Sequence, residues 1–201
     1  MLSHTKKFIF IHIGKTGGNS LNRLLKPYSA HKVVVDKKRK YKNRIQIFTR
    51  RKEDIKHANI EFWDQKLVPE IFEMYFKFAF VRNPWDRMVS YYSFLRPKQS
   101  GKINPFKKFL YKINPEFYSQ LKYISVNGKV KVDFIGRFES YARDVKKLCS
   151  KLEIPLKSLP HENKTKHQHY SFYYDNEAKG LVEKKFSREI KEFGYKFEGE
   201  Q

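Results

Sequence analysis

The stretch FIFIHIGKTGGNSLNRLL, residues 8–25, decides how the chain is read. Residues 8–13 are an apolar run rich in β-formers and ended by glycine, the pattern of a strand buried on both faces. Leu21, Leu24, Leu25 and Tyr28 then recur at helical spacing, and Pro27 closes the helix. Between the two lies GKTGG, which looks like half of a phosphate loop.

A full Walker loop needs GxxxxGK[ST]. Gly14, Lys15 and Thr16 supply its last part, but the first glycine would fall at position 9, which is Ile9. The turn is too short on its strand side to wrap β- and γ-phosphates. Its glycines instead follow the lysine, at Gly17 and Gly18, where they permit close backbone approach. A helix starting near Asn19 points free N–H groups back into the turn. Lys15 adds a positive charge, and Thr16, Asn19 and Ser20 add polar donors. The arrangement is a cradle for one terminal anionic group. The alternative is a tight βα turn with a solvent-facing lysine.

FKFAFVRNPWDRMVSYYSFL, residues 76–95, repeats the strand-to-helix pattern. Asn83 is a cap and Pro84 suits the first helical position. Arg82 ends the strand, and in a parallel sheet it stands with Lys15 at the carboxyl edge, where open α/β sheets bind ligands. Its planar fork suits a phosphate, and Ser90 offers a hydroxyl. Arg87 reads as a surface charge facing Asp86 or solvent. Trp85 and Tyr92 read as core.

The rest of the chain of 201 residues follows the same alternation. Short strands are expected over 31–35, 45–49 and 132–138. Helices are expected over 61–76, with Pro69 marking a break or a new first turn, and over 106–111, 116–124, 141–152 and 178–193, with Gly194 as the last stop. This predicts an α/β fold with a mostly parallel sheet and no linker to divide it, hence a single domain over 1–201. Hydrophobic residues at 40% and aromatics at 16% supply a sizeable core. The formal charge of +22 implies an anionic partner. Cys149 is the sole cysteine, which excludes an internal disulfide and reads as core. No stretch approaches the roughly 18 apolar residues of a membrane span. The opening is not expected to be a signal peptide. Cytoplasmic residence is the expectation, unless the chain is a fragment of a membrane-anchored parent.

The two strand–turn–helix segments together resemble the nucleotide-binding segments of the carbohydrate sulfotransferase superfamily. The pattern is similar to the heparan sulfate 2-O-sulfotransferase-like group and its small bacterial relatives. The resemblance extends to DFIGRFESYARDVKKL, residues 133–148, and to the carboxy-terminal part from Leu159. It implies a P-loop-like sulfotransferase fold, with a central mostly parallel sheet flanked by helices. It also implies 3′-phosphoadenosine 5′-phosphosulfate (PAPS) as donor, PAP as product and no metal requirement. By position, Lys15, Thr16, Gly17, Gly18, Asn19 and Ser20 would hold the 5′-phosphosulfate, and Arg82 and Ser90 the 3′-phosphate. The acceptor implied is a carbohydrate hydroxyl on an oligosaccharide, polysaccharide or glycolipid.

Sulfuryl transfer needs a base for the acceptor hydroxyl. His57, in RRKEDIKHANIEFW, sits in a segment that resembles the one bearing the family's catalytic histidine, and Lys15 would stabilise the leaving phosphate. Glu53 and Asp54 are alternative bases, and His12 reads as packed within the sheet. His161, His167 and His169 form a pattern better read as a polar loop than a metal cluster. The resemblance puts that loop, with Lys164, Lys166 and Tyr170, near donor or acceptor. Arg137 is assigned either to the 3′-phosphate side or to a salt bridge with Glu139. Arg50, Arg51 and Lys52, near the proposed base, and the run 37–44, further off in sequence, are basic and read either as lining an acceptor channel or as solvated faces. A PAPS-binding protein without catalysis remains open, as do two rivals of other classes. One is a nucleoside or small-metabolite kinase, for which no convincing Mg²⁺ acid appears. The other is a nucleic-acid-binding module, for which no recognition motif appears.

Overall fold

A computed structural model of the chain describes residues 1–30, 33–36, 45–48, 57–95, 106–156 and 168–198. These residues fall into two compact units, Met1–Val81 with Leu121–Glu162, and Arg82–Gln120 with Asn163–Gln201.

The first unit carries the strands. Strand β1 (Leu2–Ser3) pairs antiparallel with β2 (Phe8–Ile11), and β2 pairs parallel with β5 (Phe76–Val81). On its other side β5 pairs parallel with β8 (Phe134–Arg137), giving the order β1-β2-β5-β8. Strands β3 (Val33–Asp36) and β4 (Ile45–Phe48) form a separate antiparallel pair, as do β6 (Ser125–Val126) and β7 (Lys129–Val130). The helices here are α1 (Gly18–Leu25), α2 (Ile60–Lys66), α3 (Pro69–Met74) and α8 (Tyr141–Lys151). Leu21 and Leu25 of α1 and Val145, Leu148 and Cys149 of α8 pack with Phe8, Phe10, Phe78 and Phe80. Burial pushes the Cys149 thiol up, as suits a core residue.

The second unit is helical, with α4 (Pro84–Leu95), α5 (Phe106–Lys112), α6 (Pro115–Tyr118), α9 (Asn176–Lys185) and α10 (Ser187–Phe193). Helix α7 (Gln120–Ile124) begins in this unit and runs into the first. Trp85 and Tyr92 are core residues, as the sequence indicates.

The expected α/β class, with a central mostly parallel sheet flanked by helices, is corrected. The structure is mostly helical, and its strands form small, open sheets, the largest of mixed direction. The reason lies in supply. The segments at 33–36 and 45–48 pair with each other instead of joining β2 and β5. A two-residue antiparallel strand occupies one edge. Most of the remaining described sequence repeats at helical spacing. Two expected helices also divide. Residues 116–124 become α6 and α7, and 178–193 break at Phe186, which is buried with φ −119°. Gly194 does stop α10, in the left-handed region at φ 62°.

Lys77 is 7% exposed within β5. Its ammonium donates to the carbonyls of Phe72 (3.0 Å) and Tyr75 (2.9 Å), at the end of α3, and lies 3.4 Å from Asp133. It thus collects the carbonyls that a helix end leaves unpaired. Replacing it by methionine, which fills the space without the charge, should cost about 2 kcal/mol in urea unfolding. An unchanged midpoint would show the cap to be idle.

Asp144, buried in α8, accepts the Arg137 N–H (2.9 Å) and pairs with Arg143 (2.9 Å). Burial alone raises its pKa, but the Arg143 and Arg137 bonds outweigh that and hold it below the ordinary value. The unfolded chain therefore takes up this proton at higher pH than the folded one. The stabilisation is present above the unfolded value, about 4, and is lost as pH falls through the folded value. Asp144→Asn should flatten stability against pH below about 4, as measured by thermal melts across that range.

Candidate functional site

In the first unit, the turn between β2 and α1 has a backbone few residues tolerate. Lys15 has φ 66° and Gly17 has φ 81°, both in the left-handed region. For lysine this conformation is uncommon and strained. Thr16 is 1% exposed and donates its hydroxyl to the Ile13 carbonyl at 2.9 Å, so its proton closes the turn. Lys15 is half-buried, Asn19 exposed and Ser20 buried. Helix α1 starts at Gly18 with Gly17 as its cap and no side-chain hydrogen bond at that cap, so its first amides face back into the turn.

Neither glycine has room for a side chain. A Cβ on Gly17 would lie 2.6 Å from the Tyr141 ring. A Cβ on Gly18 would land on the His12 ring. Tyr141 uses that closeness to donate its hydroxyl to the Gly17 carbonyl at 2.9 Å. Burial pushes the phenol far above its ordinary value, against a smaller lowering by Ser20, so it stays a protonated donor.

His12 is 3% exposed and stacks on Phe10. Its Nδ1 lies 2.9 Å from the Asn22 amide nitrogen. An amide NH₂ only donates, so Nδ1 is the acceptor in this bond. His57 lies over it, ring centroids 4.5 Å apart, with Nδ1 3.2 Å from the His12 carbonyl. A carbonyl only accepts, so His57 carries its proton on Nδ1. In the neutral ring, Nε2 is then the basic nitrogen. His57 is exposed. The first unit therefore brings together Lys15, Thr16, Gly17, Gly18, Asn19, Ser20 and His57. His12 takes the packed role read from the sequence, while Asn22 and Tyr141 escaped sequence reasoning. Asn22 stands one turn into α1 on the same face as Gly18, a spacing that could have drawn attention to it.

In the second unit, Arg82 follows directly on β5 and is 7% exposed. Its Nε and one terminal nitrogen donate to Asp86 at 2.7 and 2.8 Å, which fixes the guanidinium plane. Asn83 accepts from the Trp85 N–H at 3.0 Å, the cap its sequence suggests. Ser90 is 2% exposed in α4. The reading of Arg87 as a surface charge facing Asp86 is corrected. Arg87 is 1% exposed, donates to the Tyr118 carbonyl and lies against the Tyr91 ring, while Asp86 pairs with Arg82. The helical pattern alone did not show that α6 would supply a carbonyl there.

Tyr170 is buried, and its oxygen accepts the Glu198 N–H at 2.6 Å. His169 caps the turn that follows, through Ser171. Arg137 ends β8, with its N–H on Asp144. Glu53, Asp54, Arg50, Arg51, Lys52, the run 37–44, His161, Lys164, Lys166 and His167 lie outside the described residues. Among the described residues, no group of three or more His, Cys, Asp and Glu is arranged to hold a metal. No helix among them is long and apolar enough to cross a membrane.

Comparison with known proteins adds two findings. Residues 1–196 match the family model described as "Sulfotransferase family". An uncharacterised protein of Archaeoglobus fulgidus is similar, 32% identical over 94 residues, which are 43% of this chain and 74% of that relative.

Because the His12 ring fills the space beside Gly18, Gly18→Ala should force the ring aside. We expect a loss of about 1–3 kcal/mol in urea unfolding. The His57 ring resonances should shift with it. Unchanged stability and unchanged histidine spectra would contradict this packing.

Proposed function

The chain belongs to the sulfotransferase family, and we propose that it transfers a sulfuryl group from PAPS to a carbohydrate hydroxyl by in-line displacement. Within the family we place it with the heparan sulfate 2-O-sulfotransferase-like group and its small bacterial relatives, as the two strand–turn–helix segments support. The family match runs through both compact units, which supports reading 1–201 as one sulfotransferase domain. We place the reaction in the cytoplasm, since a chain whose one cysteine is a buried thiol makes no use of an oxidising compartment.

One observation carries the proposal. The side chain best suited to accept a proton is tied to the root of the turn best suited to hold an anion. His57 donates its Nδ1–H as a hydrogen bond to the carbonyl of His12, the first residue after β2. Its Nε2 would take the proton of the acceptor hydroxyl as that oxygen attacks sulfur. The new O–S bond forms as the bond from sulfur to the 5′-phosphate oxygen breaks. The electron pair leaves with the phosphate, and PAP is the product. Lys15 and the first amides of α1 would stabilise the charge gathering there. Thr16, Gly17, Gly18, Asn19 and Ser20 complete that cradle in this reading. Arg82 and Ser90 would receive the 3′-phosphate, where a guanidinium of fixed plane suits a tetrahedral anion.

The test is sulfate transfer from labelled PAPS across a panel of sugar acceptors, without magnesium, for the wild type, Lys15→Ala and His57→Ala. His57→Ala should lower kcat by about 10²–10⁴ with donor affinity kept. Lys15→Ala should lower kcat by about 10²–10³ and weaken donor binding as well. Undiminished transfer by His57→Ala would remove the base but leave the donor. Magnesium-dependent transfer from ATP instead of PAPS would overturn the proposal.

A further inference from the structure

Arg82 lies one residue beyond the end of β5. Its backbone nevertheless has what amounts to a strand neighbour. The Gln120 carboxamide accepts the Arg82 N–H at 2.9 Å and donates to the Arg82 carbonyl at 2.9 Å. One planar side chain thus satisfies both main-chain groups of one residue, as an adjacent strand would. Gln120 is completely buried, and it is fixed in turn. Its Nε2 also donates to Glu189 at 3.0 Å, and its own backbone N–H donates to the other Glu189 oxygen. Glu189 is 2% exposed on α10. All three residues belong to the second unit. The arrangement is saturated in the sense that matters for rigidity. The amide cannot flip without placing NH₂ against N–H and oxygen against carboxylate.

We propose that Gln120 and Glu189 are positioning residues for Arg82: they hold its backbone, and so the origin of its guanidinium, in the place from which it recognises the 3′-phosphate of the donor. Two constraints then define the arginine. Gln120 fixes where its main chain starts, and Asp86 fixes the plane in which its side chain ends. Neither Gln120 nor Glu189 need touch the nucleotide. The inference rests on the reading of Arg82 given above, and concerns how tightly the site tells a 3′,5′-bisphosphate from a 5′-monophosphate.

The experiment measures affinities for PAP and AMP by titration calorimetry, in wild type, Gln120→Ala and Glu189→Gln. Glu189→Gln keeps the size and an acceptor oxygen but removes the charge that holds the Gln120 amide. The wild type should prefer PAP. Gln120→Ala should reduce that preference about tenfold, the effect of losing roughly one buried hydrogen bond's worth of placement. Affinity for AMP should hardly change, because AMP makes no demand on Arg82. Glu189→Gln should shift the preference in the same direction by a smaller factor, and it tests the idea even if Gln120→Ala fails to fold. A general structural role would instead weaken PAP and AMP alike. A preference unchanged in a folded variant, or equal losses for both ligands, would overturn the positioning role and leave the donor reading standing. A wild type that binds AMP as well as PAP would overturn both.

Discussion

The space beside two adjacent glycines governs the first unit. The Tyr141 ring occupies one gap and the His12 ring the other. Because the rings sit there, Tyr141 reaches the Gly17 carbonyl, and His12 lies flat enough to meet Asn22 and carry His57. Any side chain at either glycine would expel a ring, and the hydrogen bonds attached to that ring would go with it. A Cβ at either glycine would come closer than 3 Å to ring atoms, nearer than packed atoms approach, so a ring would have to shift. The positive φ of Lys15 and Gly17 belongs to the same constraint. It turns the chain sharply enough for α1 to begin under the strand end, with its first amides exposed to the turn.

Charge is handled in two ways. The surface keeps a large positive excess: in α8, Lys146, Lys147 and Lys151 are all exposed. A field of this sign attracts anions and raises their rate of encounter, an effect that salt screens. Among the described residues, the buried charged side chains have named partners. Lys77 sits on helix-end carbonyls, Arg82 on Asp86, and Arg87 on the Tyr118 carbonyl. Glu189 accepts two N–H bonds from Gln120. A buried ion without partners would be far too costly to keep. These groups are therefore rigid by necessity.

Much of the local structure was legible. The apolar run and glycines of residues 8–25 announced β2 and α1, and Asn83 with Pro84 announced α4. Where the reading failed, non-local contacts had the deciding part. Residues 116–124 look like one helix, but an Asn114 cap and Pro115 begin a short α6, and Gln120 is drawn inward by Glu189. Arg87 has the spacing of a surface residue only while Tyr118 is ignored. The sheet fell short of expectation because two of its candidate strands had a better partner in each other.

What the sequence by itself determined is the pair of strand–turn–helix units and the residue types at their turns, since helix caps, glycine dihedrals and hydrophobic period act over a few neighbours. What only the tertiary structure decided is which polar groups meet. Tyr141 lies 124 positions from Gly17, His57 lies 45 from His12, and Glu189 lies 69 from Gln120. No local propensity encodes such pairings. They follow from the burial of polar atoms that must find a partner once the chain has closed around them.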